Sequence, residues 1–107
     1  MNKIIDLQKR VEELSKEICA YCKPLMLDKN FSKEVRQLLS SETDLRLSVE
    51  MILEVESKKE ADEKIIIAKE EAEIILYFLT QINSKTQNKA KSIIEDTKQI
   101  IDILNTL

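Results

Sequence analysis

The sequence predicts an all-α fold, an antiparallel up-down four-helix bundle, and three observations carry that expectation. Glycine is absent and Pro24 is the only proline. Apolar residues recur at spacings of three and four through four separate stretches. Charged residues make up 35 % of the chain and aromatics only 4 %, the profile of long helices. Folds that depend on glycine at positive φ, or on a glycine loop cradling phosphate, are thereby disfavoured. At 107 residues the chain is read as one domain, 1–107, long enough to bury a core without metals or disulfides.

The first helix is expected over 2–23. Ile4, Leu7, Val11, Leu14, Ile18, Tyr21 and Leu25 form an unbroken seam of coiled-coil type. Pro24 disfavours the α conformation in the residue before it, so the helix should stop near Lys23. A second helix is expected over 32–56, with Ser32 as its N-cap and Val35, Leu38 and Leu39 starting the stripe. Within it, Leu45 to Met51 alternate apolar and polar with period two, a strand signature. Helix is preferred there, because Leu38, Leu45, Val49 and Ile52 also make a seam and a lone strand would leave its backbone unpaired. Ser40 to Asp44 is where a break would appear if that preference failed. Glu42 falls on the seam seven residues after Val35. It is a polar residue fixing specificity, a partner for an arginine, or a sign that the phase is misread, and the last is preferred.

The third helix, over 58–83, has the clearest seam: Ala61, Ile65, Ala68, Ala72, Ile75, Leu79 and Ile82, flanked by Ile67, Ile74 and Phe78. Its alanines let a neighbouring helix approach closely. Asn83-Ser84 closes it. The fourth, over 85–106, carries Ala90, Ile93, Thr97, Ile100, Leu104 and Leu107 in register. Short connections between long helices imply antiparallel neighbours.

The search for chemistry returns little. Cys19-Ala20-Tyr21-Cys22 is a C-x-x-C pair near the end of a helix, without the helix N-terminus that acidifies a redox thiol. As a zinc site it supplies two ligands where a structural site uses four. Structural thiols are the preferred reading, ahead of a metal or disulfide shared between subunits and of redox chemistry. The adjacent carboxylates Glu12-Glu13, Glu70-Glu71 and Glu95-Asp96 point about 100° apart on a helix and do not converge on one substrate. Histidine is missing, which disfavours a Glu-x-x-His metal site and a serine or cysteine nucleophile with an imidazole base. No enzyme activity, cofactor or metal is therefore expected.

Surfaces say more. Leu47, Met51 and Val55 form a second apolar stripe on the second helix, and a helix with two such faces is central in its fold or covered by another subunit. Those three residues are the expected oligomer or partner surface. Lys9, Arg10 and Lys16 on the first helix, with Lys85, Lys89 and Lys91 on the fourth, are the candidate nucleic-acid contacts. They require alignment on one side, and the net charge of −3 and the scarcity of aromatics weigh against stacking on single strands. Residues 54 to 73 hold eight acids against four lysines. No apolar run is long enough to span a membrane, and Met1 to Asp6 has no signal-peptide core. A cytoplasmic protein with reduced cysteines and no membrane partner is expected.

Several short stretches carry a family resemblance. Val11-Glu12-Glu13-Leu14-Ser15-Lys16-Glu17-Ile18 is similar to the opening helix of the four-helix-bundle family of 23S ribosomal RNA intervening sequences. That family includes the accessory variability determinant (Avd) proteins of diversity-generating retroelements. Phe31 to Leu38 resembles its F-x-L-x-x-Q-I-R entry, Ser57-Lys58-Lys59-Glu60 its S-K-K-E start of the third helix, and Ala72-Glu73 the A-E within that helix. Leu47-Ser48-Val49 and Ile52 to Ser57 lie where the family has S-V-P-x-N-I-A-E-G, and Glu50, Met51 and Ser57 replace its proline, asparagine and glycine. Net acidity is a further departure from basic Avd proteins. The resemblance implies a homo-oligomer, a pentameric ring being one form, that acts as a scaffold contacting a reverse transcriptase or structured RNA. The expectation is thus a noncatalytic, self-associating adaptor binding a protein or ribonucleoprotein partner. Two alternatives stay open: a protein that binds structured RNA directly, and an inhibitor- or immunity-type bundle whose acidic stretch Glu54 to Glu73 caps a basic enzyme.

Overall fold

Helix α1 (Asn2–Cys22) buries Leu7, Val11, Leu14 and Ile18, the seam read from their spacing, and stops one residue before the expected end. Pro24 cannot donate a backbone hydrogen bond, so the chain tightens into a 3₁₀ turn, Lys23–Leu25. The Met26 N–H then closes back on the Cys22 carbonyl at 3.0 Å. Asp28 is extended, and its carboxylate accepts from the Asn30 N–H at 2.9 Å, capping a second 3₁₀ turn, Lys29–Phe31. The buried Phe31 ring leads into α2 (Ser32–Ile52). Capping at this junction thus belongs to Asp28 and not, as expected, to Ser32, which is the first helical residue.

The computed structural model describes residues 2–86 and 90–107, with the Asn2 side chain excepted. Among the described residues there is no strand. The period-two stretch is helical: Leu45, Ser48, Val49 and Ile52 are buried while Leu47 and Met51 face out. No break occurs at Ser40 to Asp44. Glu42 is in phase after all. It is 6 % exposed and pairs with Arg46 one turn on, at 3.3 Å, so the arginine-partner reading replaces the phase error.

Helix α2 ends four residues earlier than expected. The N–H groups of Glu54 and Val55 both fold onto the Met51 carbonyl, at 3.1 and 3.2 Å. Ser57 must be extended to cap α3 (Lys58–Lys85), where its hydroxyl accepts from the Glu60 N–H at 3.1 Å. The chain therefore has to leave α2 before Ser57. At the other end α3 runs two residues past the expected Asn83, to an extended Thr86. Asn83 Oδ1 accepts the Ala90 N–H at 2.7 Å, which fixes the entry to α4 (Lys91–Asn105) and delays it by six residues relative to the expected 85.

Helices of 21 and 28 residues laid end to end would span ~70 Å, and the molecule is 44 Å long with α2 packed on α3, so the chain reverses at 53–57. Each helix packs on its chain neighbours and α4 closes against α1, giving an up-down bundle of 44 × 20 × 18 Å. The α2–α3 pair is the most intimate. Ser41 and Ser48 on α2, and Ala68 and Ala72 on α3, are all buried. Small side chains on both helices permit that close approach. One core spans all four helices, from Leu7 and Leu104 at one end to Cys22, Phe31 and Ile82 at the other. Thr97 joins it because its hydroxyl donates back to the Ile93 carbonyl at 2.8 Å.

Candidate functional site

On α2, Leu47 and Met51 stand 46 % and 38 % exposed, on the side away from the buried seam. Val55, expected to continue their stripe, lies beyond the helix in the turn and is half-buried. Leu53, in the same turn, is exposed, and so are Ile66 and Ile67 on α3. Sequence spacing places Ile67 at the flank of the buried seam and does not single out Ile66, because Ile65, Ile66 and Ile67 form a continuous apolar run of which only Ile65 lies on the seam.

The lysines proposed for nucleic acid do not gather. Lys9, Arg10 and Lys16 are exposed on α1, with Lys9 ~20 Å up the helix from its Cys22 end. Arg10 is already committed: its guanidinium donates to Asp6 at 2.9 Å and to Gln99 of α4 at 2.8 Å. Lys85 belongs to α3 rather than the fourth helix, and its ammonium lies 3.9 Å from Glu34 of α2. Lys91 opens α4 at that same end, and Lys89 lies outside the described residues. What the fold does collect is a different basic set. Lys23, Lys29, Lys33, Arg36, Lys85 and Lys91 are all exposed around the end formed by the α1–α2 and α3–α4 connections. Of the acids near them, Asp28 caps a turn, while Glu34 and Glu95 lie 3.9 and 4.0 Å from Lys85 and Lys98. The acidic stretch beginning at Glu54 lies at the opposite end, around the α2–α3 turn.

At the basic end the α2–α3 groove forms a cleft of about 250 Å³ lined by Lys33, Glu34, Tyr77, Phe78, Gln81 and Lys85. Phe78 packs against the core and holds the Tyr77 ring edge-on at 5.1 Å and 83°. Tyr77 itself is 58 % exposed.

The α1–α4 groove holds a cavity of about 300 Å³ lined by Lys9, Arg10, Glu13, Glu17, Asp96 and Ile100. Here Glu17 meets Asp96 across the groove. Loss of surrounding water, then a hydrogen bond to Asp96, then the charges of Asp96 and Glu13, push the Glu17 carboxyl from 4.5 up to about 7. The sequence flagged Glu95-Asp96 as adjacent acids, but the convergent pair is made between helices.

Cys19 is exposed and Cys22 buried, both free. Burial first, then the charges of Cys19 and Glu42, push the Cys22 thiol up to about 11, far from thiolate character at neutral pH. Among the described residues no group of three or more cysteines and carboxylates is placed to hold a metal ion. No helix among them is long and apolar enough to cross a membrane.

These features define an all-α four-helix bundle with an outward apolar face and a basic end. No protein-family model matches the chain, and no curated protein sequence does. Its fold is similar to that of a protein of unknown function from the S23 ribosomal protein family of Bacteroides thetaiotaomicron, known from a crystal structure. The TM-score is 0.88 over 97 % of this chain and 96 % of that one, at 21 % identity.

Proposed function

We propose that the protein is a noncatalytic, self-associating helical-bundle adaptor that binds a protein or ribonucleoprotein partner. The observation that carries this reading is the outward pair Leu47 and Met51, one turn apart on α2. Exposed apolar side chains on a helix face turned away from the core suit an interface that a partner covers. The short motifs shared with the intervening-sequence and Avd-like family support the same reading. The structural likeness to an S23 ribosomal protein family member agrees with the fold that this resemblance implies. If the family resemblance holds to its retroelement branch, the partner is a reverse transcriptase with its RNA. A cytoplasmic setting suits the two free cysteines.

Sedimentation velocity on the purified chain tests the proposal. A concentration-dependent oligomer is expected, and the double substitution Leu47→Lys with Met51→Lys should return it to monomer. Both side chains are exposed, so the bundle itself should keep its helix content. A strict monomer at high concentration would refute self-association through this face.

A further inference from the structure

We propose that the α2–α3 cleft at the basic end of the bundle is the seat of an acidic partner segment, one that places an apolar side chain on Tyr77 and carboxylates on Lys33 and Lys85. This rests on the adaptor reading only in requiring a partner, and it uses a surface at the other end of α2 from Met51.

Three observations converge on that occupant. The first is the exposed Tyr77 ring, held in orientation by the edge contact with Phe78, itself anchored in the core. A rigid aromatic surface offers apolar contact at little entropic cost. The second is charge. Lys33 has no ion-pair partner among the described residues, and Lys85 has only Glu34 at 3.9 Å, a separation too long for a strong bond. Lys29, Arg36 and Lys91 add to the positive field at this end, where the bases outnumber the nearby acids Asp28, Glu34, Glu95 and Asp96. A negatively charged segment is therefore steered there.

The third observation is size and shape. The cleft runs along the groove between two helices and, at about 250 Å³, has room for a few side chains of a helix or extended segment. An apolar component distinguishes this occupant from nucleic acid. Met26 and Leu27, the latter 95 % exposed, project from the connection at the same end and offer nothing to a phosphate backbone.

Fluorescence anisotropy with the full chain and three labelled probes tests the proposal: a peptide with leucines and a phenylalanine interspersed among glutamates, the same peptide with glutamine for glutamate, and a single-stranded poly(U) RNA of matched length. The acidic peptide should bind tightest. Lys33→Glu should weaken it about fivefold or more, the scale of one lost charge contact at a partly exposed site. Lys85→Glu and Tyr77→Ala should each weaken it as well, with circular dichroism unchanged for the exposed Lys33→Glu. Equal binding of the glutamine peptide, tighter binding of the RNA, or indifference to Lys33→Glu would each overturn the assignment. Sedimentation of the Lys33→Glu variant separates the two proposals. Loss of peptide binding with self-association intact supports both readings, whereas peptide binding by a strict monomer sinks the first and leaves the cleft standing.

Discussion

Replacing Glu17 by glutamine should make the bundle more stable above neutral pH and flatten its pH dependence. The native carboxyl holds its proton up to about pH 7, whereas in the unfolded chain it releases it near 4.5. Between those values the folded state binds the extra proton, so protons favour folding. The stabilisation is fully present below the unfolded value and is lost as pH rises through the folded one. Each pKa unit is worth ~1.4 kcal/mol, and the full displacement would come to somewhat over ~3 kcal/mol. Glu17 is only half-buried, at a groove open to water, so screening reduces the effect to an order of ~1 kcal/mol. Urea unfolding followed by far-ultraviolet circular dichroism, at about pH 5 and about pH 8, reads the difference for wild type, Glu17→Gln and Asp96→Asn. Wild type should lose stability across that interval relative to Glu17→Gln, which keeps the donor and removes the charge. Asp96→Asn should also reduce the loss, because it deletes the repelling partner. Parallel pH profiles for wild type and Glu17→Gln would refute the carboxyl pair as a source of proton linkage.

Two further outcomes follow from local geometry. Ser57→Ala removes the side chain that caps α3 and should cost ~1 kcal/mol, measured as a lower denaturation midpoint with an unchanged slope. Alkylation of the native protein with iodoacetamide should modify the exposed Cys19 well before Cys22, with both reacting at similar rates in urea, as resolved by mass spectrometry of tryptic peptides.

How far the sequence was legible depends on whether a feature is local or assembled. The seam of α3 reads directly, because Ala68, Ala72, Ile75, Leu79 and Ile82 repeat at helical spacing and are all buried. The α3 start is equally plain, since Ser57-Lys58-Lys59-Glu60 has the S-x-x-E pattern of a helix start and the Ser57 hydroxyl accepts from the Glu60 N–H. The start of α4 is not. It depends on Asn83 reaching the Ala90 N–H, a bond between a helix and the connection beyond it that no residue pattern marks. The end of α2 is hidden for a similar reason, because no glycine or proline stands between Ile52 and Ser57. Glu42 misled because a carboxylate on an apolar seam suggests a wrong phase until Arg46 is placed beside it.

The candidate surfaces divide in the same way. Leu47 and Met51 are visible from one helix, whereas the exposure of Ile66 and Ile67 is set only when α3 packs its seam into the bundle. Scarcity of aromatics argued against stacking, yet Tyr77 and Phe78 are concentrated in one cleft beside Lys33 and Lys85. Glu17 and Asp96, Lys23 and Lys91 are far apart in the chain, and their neighbourhood is a product of topology.

No described residue has a positive φ, so no described connection calls for glycine's left-handed backbone. The denatured chain also lacks glycine, whose freedom would add ~0.4–1 kcal/mol of unfolded-state entropy per site. The turns therefore place few demands on residue identity. They are held by caps and hydrogen bonds that several side chains can supply, and loop sequences can drift while the helices keep their places. A likeness in backbone with an identity of 21 % is what such permissive punctuation allows.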